Sequence, residues 1–200
     1  MVNPPLLDGR PFCSKNTGQV FSKKRWMNMV LDVNGWASEN KKFDDAEVSK
    51  IEKELGVKFP QSYISLMKDW NGGYLHEEHQ ILIENDVPED LIYYLGERFW
   101  TVGSVAGISA DLNNSEGIIN KSKTAHEWGI PEKVIAFDGD GHTWVAFDYR
   151  DNPDKPKIIF IESDELLSFF LASDFSDFIS KLIPSSQVYD NDGNVIFEQK

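Results

Sequence analysis

Residues 51–73 read IEKELGVKFPQSYISLMKDWNGG. Apolar residues recur at helical spacing on both sides of Gly56, a residue type suited to the left-handed backbone that ends many helices. Phe59-Pro60 favours the start of a new helix, because proline in a first turn lacks only an N–H that has no helical partner. Asn71-Gly72-Gly73 ends that helix, since glycine accepts positive φ at little steric cost. The stretch therefore predicts two helices joined by a tight turn.

The residues before this stretch predict its start and one further helix. Asp44 and Glu47 form a capping-box pattern at the beginning of the first of the two helices. Farther upstream, apolar residues recur at helical spacing from Trp26 to Val33, and Asn34-Gly35 supplies a stop. Residues 1–21 are rich in Pro, Gly, Ser, Asn and Lys and show no sustained period. We interpret them as a flexible leader.

The second half of the chain predicts β-strands. Short runs rich in β-branched and aromatic residues, bounded by turn residues, occupy 81–83, 100–102, 134–137, 143–147 and 158–161. A helix is predicted around 174–183, and residues 184–200 are either a small extra hairpin or a disordered end. Strands joined by short turns cannot be parallel neighbours. We therefore expect a single α+β domain at residues 22–183, with a mainly antiparallel sheet and helices segregated to one side.

Composition indicates a globular chain without a membrane span. The 200 residues are 40% hydrophobic with a mean hydropathy of -0.40, and no apolar run approaches the roughly 18 residues that a span needs. The start of the chain has no basic region followed by an apolar stretch, so we expect no secretory signal. The lone Cys13 cannot close an internal disulfide, which suits a reducing compartment. We predict a cytoplasmic protein.

The charge is acidic and unevenly distributed. Residues 1–42 carry seven Lys or Arg and three Asp or Glu, a net +4, which leaves -17 for residues 43–200 because the whole chain carries -13. This charge repels nucleic acid and anionic membranes and favours a partner with a basic surface. Acidity also simply keeps many proteins soluble, so the charge permits a basic partner without establishing one.

Four motifs in order resemble the SUKH superfamily, over residues 22–183. The first is the stretch quoted above, with its Glu-x-x-Leu-Gly helix end, Phe-Pro step, Tyr helix and terminal Asn-Gly-Gly. Val102-Gly103-Ser104 resembles the family's sheet segment, and residues 135–141 followed by Trp144 and Phe147-Asp148-Tyr149 resemble its central hairpin. Residues 172–178, ASDFSDF, resemble the entry to its C-terminal helix.

The resemblance implies an α+β fold and a binding role, with no catalytic residues to carry over. Bacterial members of the superfamily are typically encoded beside polymorphic toxins and block them by direct binding. Fungal members act as interaction proteins that regulate cell-wall synthesis and signalling. By this resemblance Trp70, Trp100 and Trp144 lie in core motifs, and we expect them to be packing residues.

Several patterns that suggest chemistry are incomplete. His76-Glu77-Glu78-His79 lacks the His-Glu-x-x-His spacing of zinc proteases and is interpreted as a solvated turn. Residues 138–142, DGDGH, and 190–193, DNDG, lack the ligand spacing of a calcium loop and are interpreted as turns, the former as a hairpin connection. Ser104 lies outside any Gly-x-Ser-x-Gly pattern and is a poor candidate nucleophile. We therefore expect no enzyme, no metal site and no cofactor.

The sequence thus predicts an immunity protein that neutralises a cognate bacterial toxin by stoichiometric binding, with nucleases among the candidate toxins. The alternative is a non-catalytic scaffold or regulatory module like the fungal members. An acidic protein can occupy the basic cleft of a nuclease as a polyanion mimic. The candidate toxin contacts around the central hairpin are Asp138, Asp140, His142, Asp148, Tyr149 and Asp151. For His142 and Tyr149 a purely structural role is the competing interpretation.

Overall fold

The structure is a computed structural model that describes residues 42–84 and 98–198, together with Val87 and Glu89. The predicted leader and the helix around Trp26 lie outside the described residues. Among the described residues, four helices are α1 (Asp45–Leu55), α2 (Gln61–Asp69), α3 (Ile118–Glu127) and α4 (Phe175–Lys181). Seven strands are β1 (Gly73–Leu82), β2 (Phe99–Val105), β3 (Val134–Asp140), β4 (Thr143–Asp148), β5 (Lys157–Glu162), β6 (Ser168–Ala172) and β7 (Ile183–Pro184). A single 3₁₀ turn, Ser185–Gln187, follows β7.

The strands form two antiparallel sheets, which confirms the predicted α+β class. The first sheet has the order β2-β1-β7, and the second has the order β3-β4-β5-β6. The sequence did not predict α3, β6 or the division into two sheets. Residues 76–79, interpreted as a solvated turn, instead lie within β1. That interpretation was wrong because Tyr74 and His79 on either side pair with β2, which keeps the polar residues between them within the strand.

The predicted helix pair forms with the expected termini. The Asp44 carboxylate accepts the backbone N–H of Glu47 at 2.8 Å, and Gly56 ends α1 with a φ of 68°. The Glu52 carboxylate is buried and accepts the backbone N–H of Phe59 at 2.9 Å, while the Lys58 ammonium binds its second oxygen. A buried carboxylate needs such donors, because an unpaired charge away from water is costly. Glu52 therefore fastens the end of α1 to the turn that leads into α2.

The four-stranded sheet is covered on both faces. On its first face, side chains such as Phe137 and Phe147 pack against α1, α2 and α4 in the main core. Phe147 contacts the rings of Tyr63 and Phe175 at centroid distances of 5.3 and 5.6 Å, which joins α2 and α4 to β4. The second face carries a smaller cluster to which α3 contributes Ala125. The other members of that cluster are Ile130, Val134, Ala136, Trp144, Ala146, Ile159 and Ile161.

Side chains of α3 cover the outer edge of β3. The hydroxyl of Ser122 donates to the carbonyl of Ala136 at 3.2 Å, and the His126 ring nitrogen Nε2 lies 3.0 Å from the Val134 carbonyl oxygen. The Lys121 ammonium donates to the Gly139 carbonyl at 3.3 Å. Exposed strand edges invite pairing with other chains, and natural proteins cover them with helices or charged side chains. Here the helix supplies both the cover and the hydrogen bonds.

The segment Ala106-Gly107-Ile108 connects the helix pair to the rest of the fold. The Tyr63 hydroxyl donates to the carbonyl of Ala106 at 2.6 Å. The side-chain amide of Asn71 accepts the N–H of Ile108 at 2.7 Å and donates to its carbonyl at 2.8 Å. Tyr63 and Asn71, which both belong to the stretch 51–73, thus bind one segment that is distant in sequence.

The remaining backbone groups of this segment bind three further parts of the chain. The N–H of Ala106 donates to the Phe137 carbonyl at 2.7 Å, which joins the two sheets. Gly107 accepts from the N–H of Ile118 and donates to the carbonyl of Glu116, each at 2.8 Å, which fixes the start of α3. All six backbone polar groups of residues 106–108 therefore have protein partners, as buried backbone groups require.

Two glycines allow this close approach. A Cβ on Gly72 would lie 2.4 Å from the nitrogen of Gly107, and a Cβ on Gly107 would lie 2.4 Å from the carbonyl oxygen of Asn71. Gly72 also has a φ of +74°, which side chains other than glycine rarely adopt. The turn after α2 and the 106–108 segment pack backbone against backbone.

The tail after β7 turns back on itself. Tyr189 and Val195 form an isolated antiparallel bridge, and the N–H of Ile196 donates to the carbonyl of Val188 at 2.8 Å. The ring of Phe99 in β2 contacts the ring of Tyr189 at 6.2 Å between centroids. Through residue 198 the tail thus packs on the three-stranded sheet.

We expect Gly107→Ala to lower the free energy of unfolding by about 3 kcal/mol or more, because the added methyl group collides with the backbone of Asn71. Urea unfolding followed by circular dichroism measures the change. Gly103→Ala is the matched control, since no atom lies within 4 Å of its added Cβ, and it should change stability by less than about 1 kcal/mol. Equal stability of the two variants would contradict the packing role of Gly107.

Candidate interaction surface

Asp138, a predicted toxin contact, is buried between the two sheets. Its carboxylate accepts a hydrogen bond from the Ser104 hydroxyl at 2.7 Å, and both residues are buried. Burial raises the pKa of Asp138 to about 6, although the Ser104 hydrogen bond and the charge of Lys121 act in the opposite direction. A carboxylate in this position is not available to a partner. The prediction for Asp138 is corrected, because Ser104 on β2 packs over the end of β3.

Asp148 and Tyr149 are also buried, and both predictions are corrected. Burial would raise the pKa of Asp148, but two hydrogen bonds from the Arg150 guanidinium and the nearby Lys157 ammonium lower it overall. The Tyr149 hydroxyl donates to the carbonyl of Lys58 at 2.9 Å. Burial, followed by the charge of Glu52, raises the pKa of Tyr149 well above its ordinary value. These two residues hold the end of β4 in place and do not face solvent.

Asp140, His142 and Asp151 are exposed, but the structure does not bring all three together. Asp140 and His142 flank the turn before β4, whereas Asp151 follows the opposite end of this six-residue strand. At about 3.3 Å per residue, the two ends lie roughly 20 Å apart. Asp151 also binds the Lys157 ammonium at 2.6 Å. Asp140 and His142 therefore lie at one end of β4, and Asp151 lies at the other.

Two residues that the sequence did not single out lie beside His142. The indole ring of Trp128, which follows α3, contacts the His142 ring edge-to-face with a centroid distance of 4.8 Å. The Nδ1 atom of His142 lies 3.0 Å from the Asp164 carboxylate, in the turn between β5 and β6. Trp128 is 46% exposed. We name the exposed group formed by Trp128, His142 and Asp164 the tip surface.

The prediction missed Trp128 because it missed α3. A signal was present: Ile118, Ile119 and Ala125 lie at helical spacing and are all buried, and Gly129 has the positive φ of 94° that suits a helix end. The polar run between these apolar residues hid the pattern. The contact between His142 and Asp164 could not be found from sequence, because it depends on the pairing of β4 with β5.

The turn that carries Asp164 is held in a defined conformation. The buried Glu162 carboxylate accepts the backbone N–H groups of Asp164 and Glu165 at 2.6 and 3.0 Å. The backbone N–H of Ser163 donates to the carbonyl of His142 at 2.8 Å, so this turn is tied to the β3–β4 hairpin. The tip surface therefore consists of side chains on two joined and hydrogen-bonded turns.

His142, Glu162 and Asp164 form the one group within the described ranges whose nitrogen and oxygen atoms are close enough to hold a metal ion. Their candidate ligand atoms all lie within 4.8 Å of one another. Each side chain already has a protein hydrogen-bond partner, so its present contacts explain the arrangement without an ion. The expectation of no metal site stays a prediction.

Of the two histidines in β1, His76 is exposed and His79 is buried.

Comparison with known protein families gives a match that covers most of the chain. The model of the SMI1/KNR4 family (SUKH-1) matches residues 42–181. The chain belongs to the SUKH-1 family. The SUKH-1 match extends from the residues just before α1 to the last residue of α4, and it includes Glu52, Asn71 and Gly107, whose contacts hold the helix pair in place. A search of curated proteins gives no match to the chain. Within the part of the SUKH-1 chain that the structure describes, no helix has the length and apolarity needed to cross a membrane.

The raised pKa of Asp138 predicts a pH-dependent stability. Between about pH 4 and 6 the folded state binds more protons at this carboxyl than the unfolded state does, because the folded pKa is about 6 and the ordinary value is 3.8. The stability that Asp138 contributes is therefore present below about pH 4 and is lost as the pH rises through 6. The loss amounts to about 3 kcal/mol.

Asp138→Asn removes this dependence and is the direct test. We expect the free energy of unfolding of Asp138→Asn, relative to that of the wild type, to increase by about 2 kcal/mol between pH 4 and pH 7. Chemical denaturation at the two pH values measures the difference. Asp140→Asn changes the exposed acid two residues away and serves as the control. A constant difference between wild type and Asp138→Asn at both pH values would show that the buried carboxyl is not the titrating group.

Proposed function

We propose that this SUKH-1 protein is an immunity protein that neutralises a cognate bacterial toxin by direct, stoichiometric binding. The SUKH-1 match over residues 42–181 carries the proposal, because bacterial members of the superfamily typically have this role. Binding without catalysis is part of the proposal. In its support, the hydroxyl of Ser104, a residue type that acts as a nucleophile in many hydrolases, is buried against a carboxylate rather than beside a histidine base.

The distribution of charge supports a basic partner. Residues 43–200 carry the acidic excess, and Asp140, Asp151 and Asp164 are among the exposed acids of the second sheet. A nuclease toxin presents a basic cleft to phosphate groups. Complementary charge accelerates the encounter of two proteins and favours the correct partner. A nuclease is therefore the toxin class that we propose first.

The alternative function is a non-catalytic scaffold or regulatory module of the kind found among fungal members. The same family match supports it, since the family description names the SMI1/KNR4 proteins. The two functions differ in what the partner does. A toxin kills cells unless the SUKH-1 protein is present, whereas a regulated partner does not.

Co-expression with the toxin domain encoded beside the gene tests the proposal. We expect the full chain to restore growth of cells that express the toxin, and to form a complex of defined stoichiometry with it. Plating efficiency and light scattering of the purified complex provide the measurements. Absence of both protection and complex formation would overturn the toxin-neutralisation proposal and favour the regulatory alternative.

The exposed acids should govern the rate of association. Asp140→Asn combined with Asp151→Asn removes two exposed negative charges, and we expect the association rate constant at low salt to fall severalfold and to depend less on salt. Stopped-flow fluorescence measures the rate. Asp192→Asn combined with Glu198→Gln removes the same charge from the tail and is the matched control. Equal rates for the two double variants would exclude a specific role for the acids around β4.

A further inference from the structure

We propose that the tip surface is the anchor of the toxin interface, and that it binds an arginine side chain on the toxin. This inference rests on the proposed function and adds to it a binding site and the chemistry of the group that occupies it. It differs from the sequence-based prediction, which centred on acids of the hairpin that the structure buries. The new elements are Trp128 and Asp164, which the structure places beside the exposed His142.

Trp128 is exposed, unlike the other tryptophans that the structure describes. Among the tryptophans that the structure describes, Trp144 is fully buried and its indole N–H donates to the Gly141 carbonyl, and Trp70 and Trp100 are half-buried. Trp128 alone among them is exposed. An indole left in water loses the stabilisation that its burial would provide. Tryptophan is also strongly enriched among the residues that dominate binding energy in interfaces.

The carboxylate near the Trp128 indole has no lysine or arginine partner within the described residues. Among residues 42–84 and 98–198, no lysine or arginine forms an ion pair with Asp140 or Asp164. The Asp164 side chain is 68% exposed, and its contact with His142 uses only the Oδ1 atom. Other exposed acids, such as Asp45 and Asp151, pair with lysines of the same chain. The tip surface therefore offers acceptor oxygens that no cation of the described fold occupies.

Hydrogen bonds hold the turn that carries Asp164 in place before any partner binds. The Glu162 carboxylate holds the turn that carries Asp164, and the hydrogen bond from Ser163 to His142 joins that turn to the hairpin. Leu166 in the same turn has a φ of 55°, a conformation that a leucine adopts only where its surroundings impose it. Side chains on a fixed scaffold lose little entropy on binding.

Arginine is the side chain that fits both features. Its planar guanidinium stacks on an indole face and also donates in-plane hydrogen bonds to carboxylate oxygens. The indole and the Asp164 carboxylate both contact His142, so the two features adjoin one imidazole ring. Lysine provides a point charge without a stacking plane. A nucleic acid would be repelled by the same carboxylates.

Binding of the toxin domain by single variants tests the proposal. We expect Trp128→Ala to weaken binding by about 30-fold or more, and Asp164→Asn to weaken it by about tenfold. Tyr74→Ala removes another exposed aromatic ring, on β1, and Asp192→Asn removes an exposed acid in the tail. These two controls should bind within about twofold of the wild type, which is the scatter of such measurements. Isothermal titration calorimetry gives the affinities, and circular dichroism shows that each variant is folded.

The possible outcomes separate the two proposals. If the wild type binds the toxin and Trp128→Ala and Asp164→Asn bind equally well, the tip surface is not the anchor, while the immunity function stands. If the wild type neither binds nor protects, the immunity function fails and the toxin interface fails with it. If Trp128→Ala does not fold, Asp164→Asn and the charge reversal Asp164→Lys decide the question.

The arginine assignment has its own test. Arginines and lysines on the toxin are replaced one at a time by alanine, and each variant is combined with Trp128→Ala in a double-mutant cycle. We expect one arginine to show strong coupling, with the double variant binding severalfold more tightly than the two separate losses would predict. Coupling to a lysine, or to no basic residue, would overturn the arginine assignment.

Discussion

The hydrogen bonding of residues 106–108 is the constraint on which the rest of the structure depends. These three residues form no regular secondary structure with their neighbours in sequence, so their buried backbone groups need partners from elsewhere. Tyr63 and Asn71 provide three of those bonds, and Phe137, Glu116 and Ile118 provide the others. The helix pair, both sheets and the start of α3 all meet at this point.

This constraint explains why the sequence motif has its composition. The asparagine after α2 must carry both a donor and an acceptor, because it binds the N–H and the carbonyl of the same residue. The glycines must lack a Cβ, because the two backbones approach too closely to admit one. Glu52 belongs to the same arrangement, since it fixes the turn that places Tyr63 over Ala106. A short motif that predicts two helices thus also encodes the contact that attaches them.

Local signals in the sequence predicted those parts of the fold that local interactions form. The cap of α1, the glycine at its end and the hairpin of β3 with β4 are formed by residues close in sequence, and their positions were correct. The polar part of β1, before the predicted run 81–83, could not be recognised, because its place in the sheet depends on pairing with β2. The burial of Asp138 was equally invisible, since its partner Ser104 lies 34 residues earlier in the chain.

The candidate site was predicted in part for the same reason. Acidic residues in a predicted hairpin look exposed, yet alternation along β4 and the bulge in β3 decide which of them face the core. Asp140 and His142 lie at the turn, where exposure follows from position alone. Trp128 and Asp164 reach His142 from two other segments of the chain, so their proximity is a property of the tertiary structure.

The side chains that line the edge of β3 also limit how this protein can recognise a partner. Many binding domains add a strand of their partner to an open sheet edge, and the backbone then provides most of the affinity. On β3 the carbonyls of Val134, Ala136, Phe137 and Gly139 already accept hydrogen bonds from within the chain. A partner strand has no free backbone ladder to join there. Specificity at this end of the molecule must therefore come from side chains, which can be exchanged one by one without disturbing the sheet beneath them.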